Sequence, residues 1–107
     1  MQRGDIVIVS APGDFGKPRP SVVVRSDLFT ELPSVTVCLM SSELRDAPIL
    51  RITVDPTVEN GLTRISQVQV EKLVTLALPR VGAVVGKLDG PAMERLTRSL
   101  ALYLGIA

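Results

Sequence analysis

Residues 4–10, GDIVIVS, alternate loosely between β-branched apolar side chains and other types, which is the period of a strand. They give way to APGDFGKP, where Pro12, Gly13, Gly16 and Pro18 mark a loop. RPSVVVR, 19–25, predicts a second strand, with Pro20 tolerated near its start. Ser26 then stands before Asp27, Leu28 and Phe29 as the cap of one short helical turn. SVTVCLMS, 34–41, is a nearly unbroken apolar run and predicts a strand covered on both faces. Charge and proline in SELRDAP interrupt it. ILRITV, 49–54, resumes as a strand with Leu50, Ile52 and Val54 inward and Arg51 and Thr53 outward. Asn60-Gly61 signals a hairpin turn. LTRISQVQV holds a further strand, because the β-branched Thr63, Ile65, Val68, Val70 and, later, Val74 weaken its helical alternative. Pro79 and Gly82 break the chain after LVTLAL, and VGAVVGKL predicts one more short strand.

The last stretch changes period. DGPAMERLTRSLALYLGIA carries Met93, Leu96, Leu100, Tyr103 and Leu104 at helical spacing, with Glu94 and Arg98 four apart on the outer side. Asp89 or Gly90 caps this helix, Pro91 fits its first turn and Gly105 ends it. Short strands with Gly/Pro turns followed by one helix predict a mainly β fold: a small, curled antiparallel sheet or partly open barrel, with a C-terminal helix packed on it.

Composition narrows the chemistry. The 107 residues suit one domain, residues 1–107, and 46% hydrophobic with 21% charged residues marks a folded, water-soluble chain. No apolar run approaches the ~20 residues of a membrane helix. MQRGDIVIVSAPGD lacks the pattern of a signal peptide, so a cytoplasmic location is expected. The one cysteine, Cys38, sits in VTVCLM and reads as a small core residue. A net charge of +1 excludes a uniformly basic coat and leaves room for a local basic groove. The absence of histidine removes serine-hydrolase triads, histidine-containing zinc sites and histidine acid/base pairs together. Only Phe15, Phe29 and Tyr103 are available to stack on a base.

Candidate site residues cluster at two strand ends. Pro18 and Pro20 lock their own φ and push Lys17 and Arg19 toward extended geometry, so Arg19 hangs from a stiff backbone at the mouth of an apolar strand. Two readings fit: a strand-edge residue that caps a carbonyl or pairs with Asp14, or a phosphate clamp whose planar fork is already ordered. Ser41, Ser42 and Glu43 end the third strand; their hydroxyls satisfy nearby backbone or bond a phosphate or ribose oxygen. Glu43, with Arg45 and Asp46 close behind, reads as a solvated charge cluster rather than a base. Phe15 either plugs the barrel end or stacks on a base while Lys17 meets a phosphate. Arg3-Gly4-Asp5 matches an integrin-binding tripeptide, a coincidence in an intracellular chain.

RGDIVIVSAPGDFGKPRPSVVVRSDLF, then VTVCLMSSELRDAPILRITV, then GLTRISQVQVEKLVTL and the terminal helix, in that order, resemble the MazF/PemK family of toxin–antitoxin endoribonucleases over nearly the whole chain. The resemblance implies an SH3-like barrel with an added helix and a homodimer. It implies metal-independent, cofactor-free cleavage of single-stranded RNA at short sequences, blocked by an acidic antitoxin. Arg19 falls on the family's catalytic arginine position and Ser41 on its threonine position. Serine keeps the hydroxyl and loses the methyl that restricts its rotamer. The same reading takes Phe15, Lys17, Ser42, Arg45 and Gln67 as RNA contacts. Two rivals stand beside it. CcdB-type gyrase poisons share the barrel, bind a protein rather than cut RNA, and do not need the Arg19/Ser41 pair. The other is a structural or adaptor barrel without toxicity.

Overall fold

The computed structural model describes residues 1–13 and 17–107. Six strands make one antiparallel sheet: β1 (Asp5–Val9), β2 (Arg19–Val23), β3 (Ser34–Ser41), β4 (Arg51–Val54), β5 (Ser66–Ala77) and β6 (Val81–Lys87). Their order across the sheet is β4-β5-β3-β2-β1-β6, so β4 and β6 are edges and the barrel stays open. A single α-helix, α1 (Gly90–Tyr103), closes the chain.

Alternation of side chains builds two apolar layers. Ile6, Val22, Cys38, Met40, Ile52, Val54, Val68 and Val70 form one with Ala92, Leu96 and Leu100 of α1. Val7, Val9, Val23, Val35, Val37, Leu39 and Leu76 form the other. Neighbouring residues of β1, β2 and β3 thus supply opposite layers, which explains the unbroken apolar run in SVTVCLMS. Cys38 is fully buried, and burial pushes its thiol from the ordinary 9.0 up to about 12.

The short elements follow their local chemistry. The Ser26 hydroxyl accepts from Leu28 N at 3.2 Å and caps a one-turn 3-10 helix, Asp27–Phe29. Asp89 caps α1 by accepting from Ala92 N at 2.8 Å. Gly105, at φ 75°, ends it, and Ile106 N donates back to Ala101 O at 2.9 Å. Tyr103 and Leu104, expected on the packed face, are exposed instead because that face turns out past Leu100. Glu94 and Arg98 form no ion pair. Among the described residues no helix is long and apolar enough to cross a membrane.

Two strand-level expectations need correction. β4 begins at Arg51, and Leu50 lies exposed in the turn before it. Asn60-Gly61 does not make a two-residue hairpin; it sits inside the longer 55–65 connection between β4 and β5. β5 runs on through EKLVTLA and carries a bulge. Cys38 pairs with Leu73 and Met40 with Val68, so β5 places 69–72 against Leu39 of β3. Such an insertion bends the strand and resets its alternation. Val68, Val70 and Leu73 accordingly pack on the helix side, and Leu76 on the other.

Candidate active site

The ends of β2 and β3 meet at a cleft. Their ladder pairs Val23 with Val37, Val22 with Cys38 and Ser21 with Leu39, then stops. One step further in the same register would set Pro20 against Met40, and the next would set Arg19 against Ser41. Pro20 has no N–H with which to extend the ladder. Past Ser21 the strand ends border a cavity of about 310 Å³ instead. Lys17, Pro18, Arg19 and Pro20 line it from β2, and Met40, Ser41 and Ser42 from β3. The 55–65 connection supplies Leu62, Thr63 and Arg64, and β5 supplies Ser66. Among the described lining residues, Lys17, Arg19 and Arg64 are cationic, which makes this wall of the cleft basic.

Arg19 is half-buried and also borders a second cleft, of about 630 Å³, together with Pro12, Leu39, Lys72 and Thr75. Ser41 Oγ accepts from Glu43 N at 3.0 Å, the local role its position predicted. A hydroxyl that accepts still carries a proton to donate. The arrangement presents a planar cation and a hydroxyl to one volume, which suits an anionic tetrahedral group such as a phosphodiester.

The other expected RNA contacts divide. Lys17 and Ser42 line the cleft. Phe15 falls outside the described residues. Arg45 is exposed, pairs with Glu43 at 2.8 Å and does not line the cleft. Gln67 is buried, and its amide is committed to structure. Its Oε1 accepts from Arg45 N at 2.9 Å; its Nε2 donates to Arg45 O at 3.0 Å and to Thr53 Oγ1 at 3.1 Å. Ser41 and Thr53 are the register partners of Gln67 on either side. Gln67 thus ties down the loop that leaves the cleft at Ser42.

Sequence reasoning missed Thr63, Arg64 and Ser66 as cleft residues. The connection that carries them is tied by Asn60, a buried side chain. Asn60 Oδ1 accepts from Thr57 N at 2.9 Å and Leu62 N at 3.0 Å, and its Nδ2 donates to Asp55 O at 2.8 Å. The Asn-Gly pair was the available signal. It marked a turn but not the direction in which the turn sends the chain.

A family model described as PemK-like, MazF-like toxin of type II toxin-antitoxin system matches residues 2–104. A probable endoribonuclease MazF of Mycolicibacterium smegmatis is 39% identical over 108 residues, spanning 100% of this chain and 99% of that one. This chain belongs to the MazF/PemK toxin family. The fold agrees. The Mycobacterium tuberculosis toxin MazF-mt6 superposes with a TM-score of 0.82 at 21% identity, covering 96% of this chain and 98% of that one. A mycobacterial endoribonuclease solved in complex with its cognate antitoxin gives 0.83 at 19% identity, over 100% and 97%. A MazE-MazF complex from Deinococcus radiodurans gives 0.78 at 14% identity, over 100% and 98%. Arg19 and Ser41 lie on adjoining walls of one cleft.

Proposed function

We propose that this protein is an endoribonuclease toxin that cuts single-stranded messenger RNA at a short sequence, without a metal, in the Arg19–Ser41 cleft. The observation that carries the reading is the convergence of Arg19, Ser41, Lys17 and Arg64 on one volume. RNA brings its own nucleophile. The ribose 2′-oxygen forms a bond to phosphorus and gives up its proton. The bond from phosphorus to the 5′-oxygen breaks, and that oxygen takes a proton. The products are a 2′,3′-cyclic phosphate and a 5′-hydroxyl. The protein must hold the diester for in-line attack and stabilise the charge that develops on its oxygens. Arg19 does the second task; arginine holds its proton too tightly to be a good general acid. Ser41 donates a hydrogen bond to the phosphate or the 2′-oxygen.

The same reading includes a homodimer and an acidic antitoxin that covers the basic cleft. Exposed Leu102, Leu104 and Ile106 at the end of the chain offer apolar area to a second copy. Relatives named as toxin–antitoxin complexes support the antitoxin partner. Messenger RNA as substrate puts the action in the cytoplasm. The family match does not favour a CcdB-like gyrase poison.

The test is purified protein with one long transcript and EDTA, followed by primer extension to map the cut sites. Discrete fragments are expected. Arg19→Ala should lower the cleavage rate by ~10²–10³ with the fold retained. Near-normal cleavage by that variant would remove Arg19 from the reaction. Intact RNA alongside stalled gyrase would replace the whole reading.

A further inference from the structure

Most arginines of the described structure are used internally. Arg25 bonds the Met1 and Ser26 carbonyls, Arg51 pairs with Glu71 at 2.7 Å, and Arg80 bonds the Ser10 carbonyl. Arg64 differs. Its guanidinium is exposed, has no hydrogen bond or ion pair among the described residues, and lines the cleft that holds Arg19 and Ser41.

The backbone that presents Arg64 is tied on both sides. Leu62, two residues before it, packs on the helix-side core and donates its N–H to Asn60 Oδ1 at 3.0 Å. Ser66, two residues after it, is buried and donates its hydroxyl to the Arg64 carbonyl at 3.0 Å. The connection also lies hard against β6, where Lys87 N donates to Glu59 O at 2.9 Å. A charge added only for solubility needs no such anchorage. A cation held at a set place on a cleft wall loses little freedom when its ligand binds.

We infer that Arg64 holds a second phosphate of the RNA, next to the one at which the chain is cut, and so positions the strand across Arg19 and Ser41. The inference rests on the ribonuclease reading above. Arg64 does not touch the reacting atoms; it acts through the placement of the neighbouring nucleotide. Its loss should therefore weaken binding and leave the chemical step largely intact.

Arg64→Ala and Arg64→Lys are compared with wild type on an oligoribonucleotide carrying the mapped cut site, over a series of salt concentrations. Binding is read separately by fluorescence anisotropy on the single-stranded DNA copy, which lacks the 2′-hydroxyl and cannot be cut. Arg64→Ala should raise KM about tenfold or more, the worth of one charge-assisted contact, with kcat nearly unchanged. The slope of log affinity for the DNA against log salt should shrink by about 0.7, one phosphate contact on a single strand. Arg64→Lys should recover the slope and part of the KM. A merely structural role would leave the salt slope in place and lower the melting temperature. Arg64→Ala with wild-type KM and slope would overturn the inference while the nuclease reading stands. So would a loss confined to kcat. Wild-type protein that cuts no RNA would remove both.

Discussion

The Ser41 hydroxyl closes the turn that ends β3, by accepting from Glu43 N, and lines the cleft beside Arg19. The local and the functional readings of this residue are therefore compatible, since the oxygen accepts while its proton remains for a ligand. Substitution separates them. Ser41→Ala removes acceptor and donor together and should cost ~10²–10³ in kcat if the hydroxyl contacts the transition state. The accompanying stability loss should be only about 1 kcal/mol, the net worth of one hydrogen bond. Ser41→Thr keeps both and adds the methyl that narrows χ1. It should cut RNA at least as well as wild type. Single-turnover kinetics on the mapped site, with urea unfolding for stability, checks both variants. An equal loss in Ser41→Thr and Ser41→Ala would take the hydroxyl out of the mechanism. Gln67 teaches the converse lesson at this scale. A polar side chain in a strand near the site looked like an RNA contact. In the folded protein its amide bonds to the Arg45 backbone and to Thr53.

Among the elements, the 55–65 connection matters most for the cleft, because it brings Arg64 to it. Gly61 has φ 68°, and a Cβ there would collide with the Val85 carbonyl oxygen. Gly86 on β6 is equally close to the Asn60 carbonyl from the other side. The glycines let two backbones touch where side chains would hold them apart. Gly61→Ala should destabilise the protein by more than about 1 kcal/mol, since the left-handed conformation alone costs that much and the clash adds to it. Gly90→Ala, at a position with open space around the added carbon, is the control and should be neutral or stabilising. Urea midpoints decide; equal midpoints for the two variants would mean that the connection does not rest on β6 as described. The Asn-Gly pair announced a turn correctly. Its hairpin reading failed because the side chain of Asn60 bonds within its own connection, back to 55–57, rather than across a two-residue turn.

For the molecule as a whole, the sheet carries apolar layers on both faces, and Cys38 lies fully buried in the layer under α1. Burial holds its thiol near 12 where an ordinary cysteine sits at 9.0. The folded state keeps the proton over a range in which the unfolded chain releases it. The stabilising contribution is thus complete below the unfolded value and is lost as pH rises toward the folded one. Melting temperature should fall between about pH 8 and about pH 11 more steeply for wild type than for Cys38→Ala. Identical slopes would show that the buried thiol does not govern alkaline stability.

What could be read from the chain alone is what neighbours in sequence impose on one another. The DIVIV strand, the Ser26 and Asp89 caps and the Gly105 stop are all short-range effects, and each appears where it was expected. The tertiary structure alone decided the bulge in β5, the burial of Gln67, the outward turn of Tyr103 and the arrival of Arg64 beside Arg19. Those depend on strand register and on which surfaces cover each other, which are settled by burying the whole sheet at once. No local window of residues carries that information.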